Sequence, residues 1–247
     1  MLPNEFEDLA WESPERSILE GLWVSHFKRA RDEMPSAENL WVRIKRQIFE
    51  GTWNEVLDLL EAFAKRWDRA LSVSTESKLL NQAILAGLDE IFESELVGFR
   101  LIGLEITPLE SSAEAEAIAG ALSDAEAISG ARHSLERAVK LFADREAPDY
   151  PNSMKESISA VEAVVKRLTG KRTLKEGLRK LEGDKRLHQA LTQAWAKMYG
   201  WLSNESGVRH AGVDAPEVDQ ALAKYTLVTC SAFVSYLVEQ DRKLKLL

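Results

Sequence analysis

Apolar residues recur at every third or fourth position through nearly the whole chain, and each run stops at a proline, a glycine or a short polar residue. That rhythm is the period of the α-helix, not the two-residue alternation of a strand. With 13 glycines and 7 prolines in 247 residues there is little turn chemistry for a sandwich or barrel. The fold expected is all-α, with one local exception.

Punctuation sets the element boundaries. Ser13-Pro14-Glu15 starts a helix that the pattern carries to about Asp32, and Met34-Pro35-Ser36 breaks it. Leu40, Ile44 and Ile48 make the stripe of a second helix, with Gly51 just beyond its end. Thr52 and Glu55 form a capping box for a third, from Trp53 to about Arg69. A fourth runs from about Glu76 to Glu95, with Leu80, Ile84, Leu88, Ile91 and Phe92 expected inside. The exception is Val97–Leu109, where apolar and polar residues alternate across Gly103, so a small β-hairpin is expected at about 97–109. Helices resume at a Ser111/Glu114 box and run to about Arg145, with a break near Ser123-Asp124. Asn152 is expected to cap a helix over 153–169, and Thr173/Glu176 to open a short one. Two more follow, from about Lys185 to Leu202 and from Asp214-Ala215-Pro216-Glu217 to about Arg242. The last is apolar over much of its circumference and is expected at the centre of a bundle. The domains expected are 1–110 and 111–247.

Charge divides the chain unevenly. Residues 1–110 hold 12 Lys/Arg against 21 Asp/Glu, and the remainder is close to neutral. Within the remainder, residues 166–186 carry nine bases against three acids. Two readings stand: a solvated helix face, or a surface that tracks phosphates through Lys171, Arg172, Arg179 and Lys180. The single Cys230 rules out an internal disulfide and a cysteine-based zinc site. No apolar run approaches a membrane span, and the acidic start is unlike a signal peptide, so no membrane association and a cytoplasmic location are expected. There is no phosphate-cradling glycine loop, nucleophile elbow or two-histidine zinc helix, and neither cofactor nor metal is expected.

One stretch concentrates chemistry. Tyr199–Gly212 is a Gly-hinged polar loop between helical segments, with Asn204, Arg209 and His210 within seven positions. The segment Asp149–Ala163, with its Lys155-Glu156-Ser157-Ile158 run, followed by Tyr199 and Gly207-Val208-Arg209-His210, resembles the C-terminal helical module of abortive-infection proteins, of the HEPN superfamily. Gly51–Glu61, the hairpin Gly98–Ile102 and Ile106-Thr107-Pro108-Leu109 resemble the AbiJ N-terminal domain 4 family. The resemblance implies an N-terminal helical domain with a hairpin, a HEPN-like bundle, prokaryotic antiviral defence, a homodimer through the bundle, and RNA as substrate or ligand. Catalytic members are metal-independent RNases that use an Arg, usually followed by a polar residue, and a His four to six positions later. On that pattern His210 is the acid/base, Asn204 the polar residue, and Ser203 stands where the Arg belongs. Arg209 is the remaining local charge, with Glu156 or Glu162 to orient basic residues. The resemblance therefore leaves two functions open, an RNase and a non-catalytic sensor or binding module. A purely structural turn, with Asn204 and His210 satisfying backbone groups, is the plainest reading of the loop.

Overall fold

The computed structural model describes residues 14–71, 75–204 and 218–245. It is helical apart from one two-stranded hairpin, and it divides into two compact units, Met1–Ile106 and Thr107–Leu247.

Unit 1 contains α1 (Pro14–Ser25), α2 (Ala37–Glu50), α3 (Trp53–Leu71) and α4 (Thr75–Ser94). Strands β1 (Arg100–Ile102) and β2 (Glu105–Thr107) follow, the second reaching the boundary of the unit. Helix α1 ends earlier than its apolar pattern. Lys28 takes a left-handed conformation (φ 53°), and the amide of Arg29 bonds back to the carbonyl of Trp23, closing the helix without a glycine. The continuation to Asp32 is thus only a short 3-10 turn, Arg31–Glu33. Ser36 caps α2 by accepting from the Asn39 amide. At the start of α3, Glu55 accepts from both the amide and the hydroxyl of Thr52, half of the expected box. Those bonds hold the Glu55 carboxyl below its usual range.

One core of this unit gathers Ile18, Leu19, Leu22, Leu40, Ile44 and Leu59, and a second gathers Leu57, Phe92 and Ile106 beneath the hairpin. Gly103 begins the hairpin turn at φ 62°, a conformation that suits glycine. Glu61 fastens the hairpin to α3, accepting from the Ile106 amide and from Lys65 Nζ, while Lys65 also donates to Glu105. Burial by itself pulls the Lys65 ammonium down. Its two carboxylate partners, Glu105 and Glu61, outweigh that effect and raise it above the usual lysine range. Several expected core positions are on the surface instead: Ile48 of α2, and Leu80, Ile84 and Ile91 of α4, are exposed.

Unit 2 contains α5 (Ser112–Asp124), α6 (Ser129–Ala143), α7 (Tyr150–Thr169), α8 (Leu174–Gly183), α9 (Gln189–Asn204) and α10 (Gln220–Lys245). The break expected near Asp124 is a 3-10 turn, Ala125–Ala127. Ser111 makes no side-chain cap, so that capping box is not formed. Asp149, not Asn152, caps α7; it accepts from the Asn152 amide and side chain, which starts the helix three residues earlier than expected. The Thr173/Glu176 box on α8 is complete.

Small residues let α6 and α7 pack closely. Ala131, Ala138 and Ala160 are fully buried, and buried Ser153 donates across the interface to the carbonyl of Ala138. Helix α7 packs between α6 and α10, and α5 covers another face of α10. Helix α10 is long and apolar enough to cross a membrane by length and composition, but half of that apolar stretch is buried within the unit. Ala223, Leu227, Cys230 and Val234 are its inaccessible stripe. Trp195 of α9 stacks on Phe233 of α10, with ring centroids 3.9 Å apart.

Candidate functional site

The two carboxylates singled out on α7 serve different neighbours. Six residues apart, they project about 120° apart around the helix. Glu156 faces α6, where it pairs with Arg137 at 3.2 Å. Glu162 faces α9, where its Oε1 accepts from the Tyr199 hydroxyl at 2.8 Å. The Tyr199–Glu162 bond anchors the last turns of α9, which lead into the polar loop. Ser203 and Asn204 are the final residues of α9. Arg209 and His210 lie outside the described residues, as do all of residues 205–217.

Where the described chain resumes, Asp219 accepts from the Leu222 amide at 2.8 Å and opens α10. Tyr150, at the first turn of α7, has its phenol raised above the usual range by burial and, secondarily, by the Asp219 carboxylate.

The basic segment occupies the opposite end of α7. Gly170, at φ 69°, ends that helix and turns the chain into α8. Helix α8 seats on α7 through buried Gly177, where an added Cβ would lie 2.2 Å from Val165 Cγ1. Leu174, Leu178 and Leu181 face inward, which turns Lys175, Arg179 and Lys180 outward. The acids of the segment are largely committed: Glu176 closes the capping box, and Asp184 pairs with Lys180 at 2.9 Å. Arg186 is withdrawn into a half-buried pair with Asp241 of α10 at 2.8 Å. What remains on the surface is Lys166, Arg167, Lys171, Arg172, Lys175, Arg179 and Lys185, with no ion pair among the described residues. Of the four cations expected to face phosphate, Lys171, Arg172 and Arg179 are in this group, and Lys180 is tied to Asp184. An α7 of 20 residues is about 30 Å long, so the basic corner and the Tyr150–Asp219 end lie far apart.

Among the described residues no three His, Cys, Asp or Glu side chains gather as a metal site. The ion pairs Glu156–Arg137 and Arg186–Asp241 had no local signal in the sequence, since Arg186 and Asp241 are 55 positions apart.

The chain is thus a two-unit helical protein with a small hairpin in its first unit and a helical bundle bearing a basic corner in its second. The sequence comparison then places the first part. Residues 7–124 match the family model AbiJ N-terminal domain 4. The match runs beyond unit 1 and through α5, which packs against α10 in unit 2. No curated protein and no solved structure matches the chain.

Proposed function

We propose that this is a cytoplasmic antiviral defence protein whose second unit is a HEPN-like bundle that acts on RNA as a homodimer. The observation that carries this reading is the basic corner: seven Lys and Arg side chains with no ion pair among the described residues, on a chain of net charge −8. An acidic protein that keeps one concentrated positive surface is suited to one kind of polyanion. The distance along α7, about 30 Å from the basic corner to the Tyr150–Asp219 end, favours an extended strand over a compact nucleotide. In the catalytic form of this proposal, His210 moves the proton of a 2′-hydroxyl, Arg209 stabilises charge on the scissile phosphate, and Ser203 and Asn204 position the strand. No metal enters that scheme.

A second reading has a specific observation behind it. Ser203 stands at the position that the resemblance assigns to Arg, which favours a non-catalytic module that binds RNA. Incubating purified protein with varied RNAs in the presence of a chelator separates the two. Cleavage that His210→Ala slows by about a hundred-fold or more supports the enzyme. Binding without cleavage, unrestored by Ser203→Arg, supports the binding module. Neither binding nor cleavage removes RNA from the account.

A further inference from the structure

Of the twelve large apolar side chains exposed among the described residues, ten belong to unit 1. Helix α4 orders three of them. Leu80, Ile84 and Ile91 are 54%, 38% and 57% exposed, and with Gly87 they follow a 4-3-4 spacing, which places all four on one stripe. The other faces of the same helix are already used: about 100° round, Phe92 packs under the hairpin and Asn81 donates to Asp68 at 2.6 Å, and on the opposite side Asp89 accepts from the Leu101 amide. Gly87 leaves a notch in the stripe, since a Cβ there would meet no atom within 4 Å. Such a stripe, notched in the middle, is the surface on which another helix seats.

Charge selects the occupant. Exposed Glu90 and Glu95 rim the C-terminal end of the stripe, where the helix dipole adds negative potential. Residues 14–106 of unit 1 carry 16 acids against 12 bases, which disfavours a second copy of the same face. The segments of this chain outside the described residues do not suit it either. Residues 1–13 contain four acids and no Lys or Arg, and residues 205–217 contain three acids and one Arg. We propose that the Leu80–Ile84–Gly87–Ile91 stripe of α4 docks an amphipathic helix of another protein, one with an apolar seam flanked by Lys or Arg. This surface lies in unit 1, and its test is independent of the RNA reading of unit 2.

The experiment uses the full chain and three synthetic helical peptides of about five turns. One has a leucine stripe with lysine flanks, one the same stripe with glutamate flanks, and one lysine flanks with serine in the stripe. The leucine/lysine peptide is expected to bind tightest by fluorescence anisotropy. Ile84→Asp should weaken it by about tenfold or more, the loss of one buried anchor. This variant also adds a negative charge, so unspecific attraction of a basic peptide would increase, not fall. Ile91→Asp, at a more exposed position, repeats the test should Ile84→Asp fail to fold. Equal binding of the leucine and serine peptides, or binding that neither variant weakens, overturns the proposal. So does a dimer of the protein alone that either variant dissociates, because the stripe would then belong to a second copy.

Discussion

The Tyr199 hydroxyl donates to Glu162 at 2.8 Å, and through that bond the end of α9 is fixed to the middle of α7. The end of α9 carries Ser203 and Asn204, two of the residues proposed for catalysis, so this bond fixes the helix that holds them. Tyr199→Phe removes one donor to a half-buried carboxylate and keeps the ring. The expected cost is roughly 1–2 kcal/mol in denaturant unfolding. Any RNA cleavage should fall in kcat more than RNA affinity falls, because the basic corner is untouched.

Gly177 sits where α8 crosses α7. Gly177→Ala would drive a methyl group into Val165, and the expected loss is about 1–3 kcal/mol of stability. Val165→Ala in the same chain should recover part of it, since the two side chains compete for one space. Equal destabilisation by the single and double variants would show that the crossing relaxes elsewhere.

Cys230 is fully inaccessible, and burial pushes its thiol up to about 12. The thiolate is the reactive form, so the native protein should react with a thiol reagent at neutral pH only on unfolding. The linkage has a definite sign. A buried neutral thiol favours the folded state at pH values below the ordinary cysteine value of 9.0, and that contribution is lost as pH rises from there toward 12. Adding denaturant at pH 7 should therefore convert a slow modification into a fast one.

Sequence periodicity was informative where caps and stripes act locally. The Thr173/Glu176 box and the Gly170 stop were legible because each needs only residues three or four apart. The end of α1 was not, because Lys28 supplies a left-handed turn that a reader expects from glycine. On α4, Phe92 is core as expected and Leu88 packs against it, but Leu80, Ile84 and Ile91 are exposed: a helical period tells which residues share a face, not whether anything covers it. The N-terminal match was legible in Gly51–Glu61 and the hairpin. The partners of Glu156 and Arg186 were not, since neither ion pair follows from sequence spacing.

In the function proposed above, the second unit acts on RNA through its basic corner. The most direct measurement is the affinity of the full chain for a single-stranded RNA as salt is raised, with and without Lys171→Glu, Arg172→Glu, Lys175→Glu and Arg179→Glu together. For single strands, log affinity should fall against log salt with a slope of about −0.7 for each phosphate contacted. The parent protein should show a steep slope, and the variant a shallower slope and much weaker binding with unchanged helical content. Affinity that ignores both salt and the four reversals would contradict the proposed function, and the corner would then be an ordinary solvated surface.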